Sequence, residues 1–110
     1  MLEAQQAGVA AVRAGVVTGD VDEATRSVLR RAKLDRWFTH STGHSLGLEI
    51  HEEPRLAAKR TEKLKAGMIV TIEPGIYMPG KFGLRIEDTV LVTRSGCQIL
   101  TPSPKAWIEI

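Results

Sequence analysis

Three short stretches of the 110-residue chain carry side chains able to gather a metal ion. They are HSTGHSLGLEIHEEP (His40 to Pro54), TIEPG (Thr71 to Gly75) and LRIED (Leu84 to Asp88). Between them they present His40, His44, His51, Glu73 and Glu87, each beside glycines or at the end of an apolar run. Two carboxylates and an imidazole brought together bind hard or borderline divalent ions such as Mn, Zn, Co or Fe. An ion held in that way polarises a carbonyl and lowers the pKa of bound water, which is the chemistry of a hydrolase.

The elements that must position these groups can be read from local pattern. Gly83 to Thr93 reads as one strand. Side chains alternate along it, so Arg85, Glu87, Thr89 and Leu91 share one face while Leu84, Ile86, Asp88, Val90 and Val92 share the other. A carboxylate buried in so apolar a segment needs a partner, either a metal or an arginine. An Arg85–Glu87 ion pair on a solvated face is the alternative. Met68 to Glu73 is a second strand, rich in β-branched residues and ended by Pro74-Gly75. Ile69, Thr71 and Glu73 share a face there, and Glu73 at the strand end either points into a cleft or meets solvent. All three histidines fall within twelve residues, and Gly43 and Gly47 among them allow close backbone approach.

Two helices are predicted ahead of this region. Leu2, Val9, Val12 and Val16 recur at helical spacing, so the first runs to about Arg13 with Gly15 as its stop. Asp20 is placed to cap the second, with Glu23 three residues on and an apolar stripe of Val21, Ala24, Val28 and Ala32. Pro79-Gly80 and Ser95-Gly96 read as turns, and Cys97 to Leu100 as a returning strand. Residues 55–66 read as a loop or a single helical turn. Helices first and strands after give an α+β class with an antiparallel sheet, in one domain spanning residues 1–110.

Composition narrows the function. A hydrophobic share of 43% and a charged share of 25% are ordinary for a globular protein, and a net charge of +2 does not point to nucleic acid or an anionic membrane. The basic run Arg30, Arg31, Lys33 and Arg36 fits a solvated helix end. No apolar run is long enough to span a bilayer, and no secretory signal is visible. The single Cys97 cannot form an internal disulfide, which suits a reducing, cytoplasmic setting.

The ordered pattern H-x-x-G-H-x-x-G-x-x-x-H-E-x-P, then I-E-P-G-x-Y, then R-I-E-D resembles the pita-bread metallopeptidases, in the aminopeptidase P and prolidase (Xaa-Pro dipeptidase) branch. The segment AGVVTGDVDEATRSVL is similar to the helix that precedes the histidine block in that family. The resemblance implies that His44, Glu73 and Glu87 ligate metal, with Glu73 also moving a proton and Glu87 bridging two ions. It implies that His51 hydrogen-bonds the substrate carbonyl or the oxyanion, that His40 lines the substrate pocket, and that Arg85 steadies the carboxylates from beside the substrate. Asp88 has no ligand role.

The resemblance further implies half of a pita-bread domain, two helices on a curved, mainly antiparallel sheet. The family's two other ligands, both aspartates, come from strands ahead of the first helix. The chain therefore reads as the C-terminal half of a metallopeptidase catalytic domain. Expected from this are one divalent ion per chain (Mn, Co or Zn), a small peptide or other small carbonyl substrate, and a homodimer. A metal-assisted hydrolase of broader specificity, acting on an ester or phosphoester, and a non-catalytic dimerising or binding domain stand as alternatives.

Overall fold

The protein is described by a computed structural model covering residues 1–110. Helix α1 (Leu2–Ala11) and helix α2 (Thr18–Arg31) lead through a short 3-10 turn (Asp35–Trp37) into seven strands. These are β1 (Gly43–Ser45), β2 (Glu52–Leu56), β3 (Ile69–Ile72), β4 (Gly75–Met78), β5 (Phe82–Arg85), β6 (Asp88–Val92) and β7 (Cys97–Ile99). Five of them form a sheet in the order β2-β1-β3-β6-β7, while β4 and β5 pair as a separate two-stranded unit. Every pairing is antiparallel. The α+β class expected from the sequence is the one observed.

The helices cover the sheet through one apolar layer. Val12, Val21, Leu56, Leu64, Val70, Ile72, Val90 and Val92 are buried together. A smaller cluster of Ala4, Leu29, Phe38 and Ile76 closes the end next to the β4–β5 hairpin. Helix α1 packs through small residues: Ala4, Gln5 and Gly8 are buried, and a Cβ at Gly8 would stand 2.5 Å from Thr25 Oγ1 and 2.9 Å from Ile72 Cγ2. Such closeness admits no side chain, so α1 sits wedged between α2 and β3.

Several local expectations need correction. Helix α1 stops at Ala11, because Val12 turns extended and inserts into the core. Helix α2 begins at Thr18 rather than after an Asp20 cap, and no side chain caps it. Its first turn is fixed by tertiary contact instead, with Thr18 N–H donating to Glu62 O at 2.8 Å beside a Val17–Lys63 bridge. Its buried face is Thr18, Val21, Asp22, Thr25 and Leu29, so Ala24 and Val28 lie at the margin and Ala32 is exposed. Residues 55–66 include the end of β2. The stretch Gly83 to Thr93 is two strands in two different sheets, broken at Ile86-Glu87. The hairpin turns at Pro79-Gly80 and Ser95-Gly96 are present, and Gly80 has a φ of +71° that suits glycine.

Candidate metal centre

The sheet register brings distant motifs side by side. Strand β3 pairs with β6 through Val70↔Val90, Thr71↔Thr89 and Ile72↔Asp88. One step beyond the last pair, Glu73 and Glu87 leave the ladder as neighbours. On its other edge β3 meets β1 at Ser45↔Val70, which sets His44 beside Thr71. A Cβ on Gly43 would overlap the Thr71 carbonyl oxygen, so glycine is what lets β1 approach. Two links lock β1 to the end of β3: Glu73 N–H donates to Thr42 O at 2.7 Å, and His44 N–H donates to Thr71 Oγ1 at 3.1 Å.

These contacts open onto a cavity of about 360 Å³ lined by His44, His51, Thr71, Glu73, Arg85 and Glu87, with Leu46, Ile50 and Thr89 completing the wall. His44 Nε2 lies 3.0 Å from Glu73 Oε1, and both side chains are largely buried. His44 Nδ1 lies 2.9 Å from Ser45 O. A carbonyl oxygen only accepts, so Nδ1 carries the proton and Nε2 of a neutral ring turns its lone pair toward the carboxylate. Two acceptors at that separation need a positive charge to share, either an added proton or a metal ion. An imidazole anchored through its other nitrogen is the usual arrangement of a histidine ligand. Two donors bound at about 2.1 Å at near-right angles to one ion are themselves about 3 Å apart, which is the spacing here. Thr71 Oγ1 donates to Glu73 Oε1 at 2.8 Å and fixes that carboxylate. Strand alternation placed Thr71 on Glu73's face but gave no sign of this bond.

The third expected donor is not yet gathered in. No group of three His, Cys, Asp or Glu side chains converges on one point. The Glu87 side chain is 43% exposed, and the Arg85 guanidinium stands 4.0 Å from Glu87 Oε2 and 3.8 Å from Glu73 Oε2. The arginine thus sets one positive charge between two carboxylates and leaves the group net negative. Nitrogen and carboxylate oxygen from these residues suit a hard or borderline divalent ion, with His44 and Glu73 held by hydrogen bonds and Glu87 half exposed.

The two remaining histidines differ. The His51 ring packs 4.4 Å from that of His44 inside the same cavity. His40 does not line it. Its Nε2 lies 2.9 Å from Tyr77 Oη and its Nδ1 2.8 Å from Ser41 O, with Phe38 edge-on at 5.2 Å. The carbonyl again claims the Nδ1 proton, which leaves Nε2 facing the Tyr77 hydroxyl.

Residues 1–94 match the description of metallopeptidase family M24. The chain belongs to that family. It is 44% identical over 105 residues to a Xaa-Pro dipeptidase of Pyrococcus furiosus, covering 96% of this chain and 30% of that protein. Among solved structures it superposes on a Xaa-Pro dipeptidase from Bacillus anthracis with a TM-score of 0.94 at 48% identity, over 97% of this chain and 30% of the other. It also superposes on dipeptidase PepE from Mycobacterium ulcerans with a TM-score of 0.90 at 50% identity, over 93% and 28% respectively. The chain therefore spans about three-tenths of the length of the M24 relatives it matches. Its helices and antiparallel sheet are those of the pita-bread prolidase and aminopeptidase P domains.

Proposed function

We propose that the chain serves a metal-dependent hydrolase of the Xaa-Pro peptidase type, with His44, Glu73 and Glu87 as its metal donors. The observation that carries this reading is the 3.0 Å approach of His44 Nε2 to Glu73 Oε1 at the mouth of a cavity that Glu87 also lines. A divalent ion (Mn, Co or Zn), one per chain, supplies Lewis acidity toward a carbonyl oxygen and a lowered pKa for water. The protein's residues do the rest. His44 stays oriented by Ser45 O, and Thr71 holds the Glu73 oxygen in place. Glu73 takes up a proton from the attacking water and passes it to the leaving amine. His51 offers an N–H to the developing oxyanion. Arg85 offsets part of the carboxylate charge and meets the substrate side of the cavity. The substrate class proposed is a small peptide with proline after the scissile bond.

Elemental composition after purification without chelator, followed by calorimetric titration with Mn, Co and Zn, tests the metal. About one ion per chain is expected, and loss of uptake in both His44→Ala and Glu87→Gln. Hydrolysis of an Xaa-Pro dipeptide beside a simple ester tests specificity. No uptake and no thermal shift on adding metal would leave the second reading, a non-catalytic binding domain. That reading is favoured by the Arg85 contact, which already places a positive charge beside both carboxylates.

A homodimer is proposed on the exposed apolar side chains Leu48, Ile50, Phe82 and Trp107. Light scattering at the monomer mass would overturn it. A cytoplasmic setting is proposed on the lone thiol Cys97 and is checked by cell fractionation. No helix is long and apolar enough to cross a membrane.

A further inference from the structure

Residues 38–42, just ahead of His44, belong to no helix or strand, so their backbone polar groups need partners from elsewhere. Helix α2 supplies them from Asp22 and Arg26, one turn apart. Arg26 donates from Nε and Nη2 to the two oxygens of Asp22, at 2.9 and 3.1 Å. Its Nη1 donates to Phe38 O at 3.0 Å and its Nη2 to His40 O at 3.2 Å, with the guanidinium carbon 4.2 Å above the Phe38 ring. Asp22 Oδ1 accepts from Thr42 N at 3.1 Å and Thr42 Oγ1 at 2.9 Å. Thr42 is fully buried, and its carbonyl accepts the Glu73 N–H. One residue, Thr42, thus joins α2 to Glu73 at the end of β3 and to β1, which bears His44.

A charge pair this buried, with side-chain exposures of 1% for Asp22 and 19% for Arg26, is a poor device for stability alone, because dehydrating both ions offsets their attraction. What it does well is fix directions. A planar guanidinium can bind a carboxylate in a fork and still reach two carbonyls, a task lysine cannot copy.

We propose that Asp22 and Arg26 are positioning residues that set the spacing between His44 and Glu73 through Thr42, and so tune the affinity of the site for a divalent cation. The proposal rests on His44 and Glu73 being metal donors. Its test compares Arg26→Lys and Asp22→Asn with Leu64→Ala, a core variant that neither lines the cavity nor bonds to the clamp and that lowers stability. Two quantities are read: Co(II) dissociation constant with its visible absorption spectrum, and amide hydrogen exchange at His44 and Glu73 relative to the β3–β6 ladder. The clamp variants are expected to weaken Co(II) binding about tenfold, to change the spectrum, and to raise relative exchange at Glu73 about tenfold. Leu64→Ala is expected to leave both within about twofold of the parent. If the clamp variants behave like Leu64→Ala, the pair is merely structural and the proposal is overturned. Should the parent protein bind no Co(II), the metal reading fails, while the exchange ratio still decides whether the clamp sets the two backbones. Should Asp22→Asn not fold, Arg26→Lys decides alone.

Discussion

Glu87 and Asp88 are consecutive carboxylates that face opposite sides of one strand edge. Glu87 lines the cavity with Arg85 and Thr89, whereas Asp88 is buried beneath the sheet. There Asp88 Oδ2 accepts from Gln5 Nε2 at 2.8 Å, and Oδ1 accepts from Thr101 Oγ1 at 3.0 Å and Lys105 Nζ at 2.9 Å. The step from the break at Glu87 into β6 turns one acid to the cavity and the other into the core.

That division predicts opposite phenotypes. Asp88→Asn removes a buried charge from Lys105 and should cost about 2–3 kcal/mol in chemical denaturation, with metal affinity within about twofold of the parent. Glu87→Gln, on a half-exposed side chain, should leave stability within about 0.5 kcal/mol and remove metal uptake. The reverse pattern would place the site on the wrong face of β6.

Gly43 provides a second test. Alanine there would push its Cβ into the Thr71 carbonyl, a backbone atom that cannot yield without parting β1 from β3. Gly43→Ala is expected to lose about 3 kcal/mol or more and to lose metal uptake with it. Gly96→Ala, where a Cβ meets nothing within 4 Å, should stay within about 0.5 kcal/mol. Equal denaturation midpoints for the two variants would contradict the close approach.

His51 separates binding from chemistry. Its ring lies tilted against that of His44 without taking part in the His44–Glu73 contact. His51→Gln should therefore keep metal uptake while the rate of dipeptide hydrolysis falls about 100-fold or more, as removal of one oxyanion donor does. A parallel loss of metal would make His51 a ligand instead.

Cys97 answers to pH. Burial pushes its thiol above the usual value of 9.0, and its Sγ donates to Val9 O at 3.5 Å. A proton held more tightly in the folded state stabilises below the unfolded pKa, and that contribution is lost as pH rises through the folded one. Stability should accordingly decline above pH 9. Because the thiolate is the nucleophile, iodoacetamide at pH 8 should alkylate the native protein about tenfold more slowly than the denatured chain. Equal rates would show the thiol to be freely exposed.

Local chemistry made much of this legible. The turn residues at Pro79-Gly80 and Ser95-Gly96 and the β-branched run before Glu73 were sufficient for the antiparallel class, because dihedral preference and alternation act over a few residues. Chain-distant partners left no such trace. The start of α2 at Thr18 depends on Glu62, and the break at Ile86-Glu87 depends on β4 pairing with β5 while β6 pairs with β3. Neither could be read from the neighbours of those residues.

The amino-acid order alone determined which groups could do chemistry, namely His40, His44, His51, Glu73, Arg85 and Glu87, since residue type sets donor atoms and charge wherever the chain folds. Tertiary structure decided which of them meet. The register that puts Ile72 opposite Asp88 and Ser45 opposite Val70 joined His44 to Glu73, left His40 with Tyr77, and handed both carboxylates to Arg85. Register follows from burying one face of the sheet under α1 and α2, an energy summed over the whole core rather than written at any one position.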